Sequence, residues 1–336
     1  MIIFRKLVLT ALLLLALAAA LFSAAAWYWT EQPVAMDSDR IDYLVETGSR
    51  PRSIARVMEQ AGIHLNEDAF VLLSRLTSSD TLLKAGAYEA VRGDTPRSLL
   101  ERMAAGDMMQ TRLTLVEGWT YLGIRQALRD APQVKQTLDG VSDQELMKRL
   151  GITADSPEGW FYPDTYVFVP GTSDFDILRR AYHAQEQILQ AAWEQREPNL
   201  PLKTPYEALV LASIVEKETG HSADRDRVAG VFVNRLRRNM LLQTDPTVIY
   251  GMGEAYQGRI RKKDLTTDTP WNTYTRGGLP PTPIASAGKA ALLAALHPEK
   301  HSYLYFVSRG DGSSEFSKDL NAHNRAVGKF ILGRRN

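Results

Sequence analysis

The stretch Ala208-Leu209-Val210-Leu211-Ala212-Ser213-Ile214-Val215-Glu216-Lys217-Glu218-Thr219-Gly220 decides how the 336-residue chain is read. It is a helix pattern that is apolar on nearly every side, and such a helix is buried. Gly220 reads as its stop signal, because glycine takes the left-handed cap conformation without steric cost. Two carboxylates stand in the last turn, where the helix dipole disfavours negative charge. At about 100° per residue, Glu218 shares a face with Leu211, Ile214 and Val215, while Glu216 lies roughly 200° away. The two acids therefore cannot serve one site as a close pair. A carboxyl against an apolar wall at a helix C-terminus has a raised pKa, which suits a general acid at neutral pH. The competing reading of this stretch alone is a solvated glutamate at a frayed helix end.

Outward from that helix, the N-terminus is the next most informative region. Residues 1–6 carry Arg5 and Lys6, and residues 7–29 contain no charge. That run is long enough to span a bilayer. Lys and Arg ahead of it favour a cytoplasmic N-terminus, and Trp27, Tyr28 and Trp29 close it as an interfacial belt. The alternative is a signal peptide cleaved near Ala24-Ala25-Ala26. Bulky aromatics after the alanines favour a retained anchor in the inner (cytoplasmic) membrane. The remainder is then extracytoplasmic, or periplasmic where an outer membrane exists.

Residues 30–110 hold an internal repeat. Gly48-Ser49-Arg50-Pro51-Arg52-Ser53-Ile54 matches Gly93-Asp94-Thr95-Pro96-Arg97-Ser98-Leu99. Both copies read as a turn into a helix with proline in its first turn. Residues 41–46 and 86–91 alternate as short strands, and residues 68–76 read as a further helix. The resulting βααβ arrangement resembles a LysM module, a small fold that holds chains of N-acetylated sugars; a plain spacer is the alternative.

Residues 111–336 read as a mixed α+β domain, so the fold class is α+β behind one transmembrane helix. Helices are expected over 143–150, 174–197, 224–238, 285–296 and 320–332, and a β-hairpin over 303–317. Thr244 or Asp245 is placed to cap a short helix. Residues 269–284, rich in proline and glycine, read as an ordered loop of the kind that walls a cleft.

Composition narrows the chemistry. The net charge is +1 and there is no cysteine, so bulk charge gives no case for nucleic acid and thiolate or disulfide chemistry is absent. His297-Pro298-Glu299-Lys300-His301 has its glutamate in the wrong place for a zinc helix. No nucleophile elbow or phosphate loop occurs. What remains is carboxylate chemistry in an exported, tethered protein, for which a glycan is the natural substrate.

Four segments in order resemble the YceG/MltG family of endolytic murein transglycosylases. They are residues 158–168, which begin Glu158-Gly159-Trp160; Ala212-Ser213-Ile214-Val215-Glu216-Lys217-Glu218-Thr219; Val231-Phe232-Val233-Asn234-Arg235-Leu236 running into Leu242-Gln243-Thr244-Asp245-Pro246-Thr247; and Trp271-Asn272-Thr273-Tyr274 with Gly278-Leu279-Pro280-Pro281-Thr282-Pro283-Ile284. The resemblance implies a lyase with Glu218 as catalytic acid and no metal or organic cofactor. It implies cleavage of the MurNAc-β-1,4-GlcNAc bond within nascent glycan strands, leaving a 1,6-anhydro end and terminating elongation. Peptidoglycan synthases are then partners.

Gln243, Thr244, Asn272 and Tyr274 are the candidate sugar-binding residues. Glu216 is expected to make a salt bridge or to support the site, and Glu158 is a weaker alternative acid. One departure from the family is visible: Ser313, Ser314 and Glu315 stand where the family often has a histidine. A hydrolytic muramidase and a non-enzymatic wall tether are the alternative functions.

Overall fold

The N-terminal run folds as α1 (Ile2–Thr30), with Leu12, Leu15 and Phe22 exposed along it. The computed structural model describes residues 2–218 and 222–333. Gly220, the expected stop signal of the central helix, lies outside the described residues. At ~1.5 Å per residue, the 29 residues of α1 cover ~43 Å, more than a bilayer's hydrocarbon core. It is long and apolar enough to cross a membrane.

The described residues fall into two units. The first contains the residues up to 111 together with 167–172. After α1 come β1 (Ala35–Met36), β2 (Arg40–Val45), α2 (Pro51–Ala61), β3 (Ile63–His64), α3 (Glu67–Leu76), β4 (Gly86–Val91) and α4 (Pro96–Ala105). In β2 the side chains alternate as a half-buried strand requires, with Ile41, Tyr43 and Val45 inward. β2 pairs antiparallel with β4, putting Tyr43 opposite Tyr88, and the two rings stack at 5.8 Å.

The repeat is visible in three dimensions. α2 and α4 both open on proline and both stop on a left-handed glycine, Gly62 and Gly106. Two features exceed the βααβ reading. β1 and β3 form an additional antiparallel pair, and α4 contributes Leu99, Leu100 and Met103 to the same core as Ile54, Met58 and Phe70.

The second unit takes residues 112–166 and those from 173 onward. Its elements are β5 (Thr111–Thr114) and β6 (Thr165–Phe168), which both cross the unit boundary, with α5 (Tyr121–Asp130), α6 (Asp143–Leu150), α7 (Asp174–Glu194), α8 (Pro205–Glu218), α9 (Arg225–Arg237), α10 (Asp245–Met252), α11 (Lys262–Thr266), α12 (Lys289–Leu296), β7 (Tyr305–Ser308), β8 (Ser314–Ser317) and α13 (Leu320–Phe330). β5 pairs with β6, and β7 with β8. The fold is therefore mixed α+β behind one apolar N-terminal helix.

α8 is the centre of this unit. Every residue from Ala208 to Val215 is buried, with α7, α9 and α12 packed around it. Val228 and Phe232 of α9 and Leu292, Ala295 and Leu296 of α12 meet it in one cluster. A helix enclosed in this way tolerates few polar groups without partners. Its one buried hydroxyl, Ser213, donates to Val210 O at 2.7 Å and accepts from Ile284 N at 3.0 Å. That second bond fastens the proline-rich loop of residues 269–284 against the helix.

The helix expected over 285–296 is shorter than its composition suggested and begins at Lys289. Residues 285–288 are non-helical instead. Ser286 exchanges backbone bonds with Trp119 (2.7 Å) and Gly118 (2.8 Å). A Cβ at Gly288 would lie 1.9 Å from Glu117 Oε1, so a side chain there would require the Glu117 carboxylate to move. These tertiary bonds outweigh the helix propensity of the alanines.

Candidate active site

Glu216 and Glu218 leave α8 in different directions, and their partners differ accordingly. Glu216 Oε2 accepts from Gly288 N at 3.0 Å. Gly288 is the N-cap residue of α12, where an anion complements the helix dipole. The expected salt bridge of Glu216 is absent among the described residues. Burial raises its pKa.

Glu218 turns to the other side, into a cavity of about 400 Å³. Thr244 Oγ1 donates a short hydrogen bond to Glu218 Oε1. Burial pushes the Glu218 carboxyl above the usual carboxylate range, and the nearby Asp245 carboxylate adds to the rise. The Thr244 bond and the Arg235 guanidinium oppose it. The net effect favours the protonated acid, because removing a carboxylate from water costs more than one hydroxyl bond returns.

Thr244 reaches Glu218 because the turn before α10 is fixed from behind. Gln243 takes a left-handed backbone, φ 48°, a conformation that costs a side-chain-bearing residue about 1–3 kcal/mol. Its N–H donates to Thr273 O at 3.1 Å, and Thr244 N donates to Thr273 Oγ1 at 3.1 Å. Thr273 and Thr247 hydroxyls meet at 2.8 Å, and Thr247 Oγ1 donates to Thr244 O at 2.7 Å.

Of the expected sugar-binding residues, Gln243, Thr244 and Tyr274 border the same cavity as Glu218. Asn272 does not. Its side chain is buried, and Nδ2 donates to the carbonyls of Asp264, Leu265 and Thr267 while Oδ1 accepts from Tyr274 N. With its amide occupied by backbone, Asn272 staples two loops and is withdrawn as a sugar-contacting residue. The capping expectation is also corrected. Neither Thr244 nor Asp245 caps α10 through its side chain; Thr244 bonds Glu218, and Asp245 Oδ1 accepts from Tyr274 Oη at 2.5 Å.

Glu158, the alternative acid, is only 3% exposed and lies at a different cavity of about 590 Å³. Its two oxygens accept from Tyr121 N at 3.0 and 3.2 Å, and Oε2 also accepts from Tyr250 Oη at 3.1 Å. Burial raises its pKa to about 7 against those donors.

Three residues at the Glu218 site escaped the sequence reading. Thr273 is flanked by two more conspicuous polar residues, and nothing in spacing singles it out. His323 sits on α13 among the scattered histidines. Arg235 did leave a signal: it falls on the apolar stripe of α9 with Val228, Val231 and Phe232, where a cation needs an explanation.

The match to known proteins covers this whole arrangement. Residues 43–329 match the YceG-like family. The chain belongs to that family. Within it, the chain is 31% identical over 319 residues to an "Endolytic murein transglycosylase" of Bacillus subtilis (strain 168), covering 89% of this chain and 88% of that protein. It is 26% identical over 326 residues to a protein of the same description from Streptococcus pneumoniae serotype 2, covering 87% of this chain and 58% of that longer protein. The crystal structure of a yceG-like protein from Listeria monocytogenes superposes with a TM-score of 0.55 at 30% identity, covering 85% of this chain and 98% of that one.

Proposed function

We propose that this YceG-like protein is a membrane-anchored lytic transglycosylase that cuts within peptidoglycan strands, with Glu218 as its catalytic acid. The observation that carries the reading is a carboxyl that burial favours in its protonated form, at the edge of an open cavity, with one oxygen held by Thr244. The names of the family relatives support the substrate class.

Protonated Glu218 gives its proton to the glycosidic oxygen between MurNAc and GlcNAc. The bond from the muramoyl anomeric carbon to that oxygen breaks, and the electron pair leaves with the oxygen. The 6-hydroxyl of the same muramoyl sugar then bonds the anomeric carbon and returns its proton to Glu218. The 1,6-anhydro end forms, the acid is regenerated, and no water is consumed. A hydrolase normally needs two carboxyl groups; here one suffices, because the substrate supplies the nucleophile and the acid doubles as the base.

α1 would hold the enzyme at the inner membrane with residues 1–6 in the cytoplasm. That position favours nascent strands as the substrate, and cutting them there would end elongation beside the synthases. The LysM-like unit of residues 30–110 would present the strand.

The test is digestion of purified glycan by wild type and Glu218→Gln, with product masses. Anhydro ends one water lighter than reducing ends are expected from wild type, and none from Glu218→Gln. Reducing ends would convert the reading to a muramidase. Full activity of Glu218→Gln would remove Glu218 as the acid.

A further inference from the structure

Arg235 is a buried cation, 7% exposed, for which no described carboxylate serves as ion-pair partner. Nε donates to Leu304 O at 2.7 Å, and Nη1 donates to Leu241 O and Leu242 O at 3.2 and 2.8 Å. Those three bonds use three of its five N–H donors. Nη2 has no partner among the described residues and is not among the enclosed unpaired atoms, and Arg235 lines the Glu218 cavity. A desolvated guanidinium with two free donors is an anion site in waiting, since its planar fork matches a carboxylate.

The surroundings extend that site. The guanidinium lies over the Tyr305 ring at 5.0 Å, and Tyr305 stacks on His323 at 5.2 Å and 24°. On α13, Leu320, His323 and Val327 form one face toward the cavity, the i, i+3, i+7 stripe of a helix. His323 Nδ1 is enclosed without a hydrogen-bond partner among the described residues. Burial and the nearby Arg235 hold the imidazole below its ordinary pKa, which keeps it neutral at pH 7. The remaining ionisable groups bordering the cavity are Glu218, Asp245, Tyr274 and Tyr305 itself. Arg325 and Lys329, also on α13, are exposed and not part of the lining.

We propose that Arg235, Tyr305 and His323 form a carboxylate-recognising wall of the Glu218 cavity. It takes the acid borne by the muramoyl sugar, either the free lactyl carboxylate of a bare sugar or a carboxylate of the peptide attached there. The inference rests on the glycan reading of the cavity and deepens it. It explains how a strand of two alternating sugars is set in one register, because only the muramoyl residue carries an acid. Glu218 handles the bond while the Arg235 wall decides which sugar precedes it.

The experiment follows His323 by NMR in the full-length protein in detergent, with ring-labelled histidine assigned by His323→Phe. Three probes are titrated: N-acetylmuramic acid, with a lactyl carboxylate; N-acetylmuramoyl-L-alanyl-D-isoglutamine, whose carboxylate is on the peptide; and N-acetylglucosamine, which has neither. A carboxylate at Arg235 offsets the charge that adds to the effect of burial on His323, so its pKa is expected to rise with at least one acidic probe and not with N-acetylglucosamine. Which acidic probe does so identifies the source. Equal response to all three, or none, overturns the proposal.

Because Arg235 also holds three backbone carbonyls, the kinetic arm leaves it in place. His323→Phe keeps the stack on Tyr305 and is expected to raise KM for glycan about tenfold, with kcat little changed; an unchanged KM overturns the proposal. Glycan cut without any carboxylate-selective shift removes this inference and leaves the transglycosylase reading standing. A selective shift in a protein that cuts nothing does the reverse.

Discussion

Glu158 and Glu218 are two carboxyl groups of one unit, each at its own cavity and each with a pKa raised by burial. Their hydrogen bonding separates them. Glu158 takes Tyr121 N on both oxygens and Tyr250 Oη on one, so it ties the start of α5 to α10. Among the described residues Glu218 takes a single donor, Thr244, on one oxygen. The other oxygen has no donor among the described residues, which is the capacity the proposed acid would use on a substrate. A perturbed pKa therefore locates desolvation, and the unfilled hydrogen-bond capacity is what marks the acid able to act.

The largest effect that tests this contrast is Glu218→Gln. Turnover is expected to fall by about 10³-fold or more, in the range lost with a general acid, while the thermal midpoint stays level or rises. A drop in stability with activity retained would exchange the roles of the two acids. Glu158→Ala is expected to do the opposite. It leaves the buried Tyr121 N without its acceptor and removes one partner of Tyr250 Oη, costing about 1–3 kcal/mol of stability by urea denaturation.

Glu158 also carries a pH signature. Its folded pKa, about 7, lies above the ordinary carboxyl value. Between those values the folded state holds more protons than the unfolded one, so the Glu158 contribution is full below about pH 4.5 and is lost as pH rises through 7. The loss amounts to about 3 kcal/mol at most. Glu158→Gln lacks this titration, so wild type should lose stability relative to it between pH 4.5 and 7.

Thr244→Val probes the single donor on Glu218. Without it the carboxyl pKa rises further, so the alkaline limb of the pH–rate profile moves to higher pH and kcat falls about tenfold. Tyr250→Phe should have the smallest effect: about 1 kcal/mol of stability, with turnover unchanged.

The legible part of the site came from periodicity. The apolar run of α8 predicted its burial from Ala208 to Val215, and 100° steps sent Glu216 and Glu218 apart, as their partners Gly288 and Thr244 now show. Asn272 was misread because a polar residue in a loop looks the same whether its amide meets substrate or three backbone carbonyls. Thr273 was passed over for the same reason in reverse. The 285–288 segment looked helical because propensity is local, whereas the backbone bonds from Trp119 and Gly118 are not.

The sequence by itself determined the anchor-length apolar helix, the buried catalytic-helix candidate and the direction in which each of its acids leaves, because helix geometry repeats over a few residues. Only the tertiary structure decided which polar atoms remain unfilled. Glu158 is locked by Tyr121 and Tyr250, which are far away in the sequence, while Asn272 is consumed, and Arg235 left with two donors unfilled by the described residues, through loop conformations that no periodic pattern encodes.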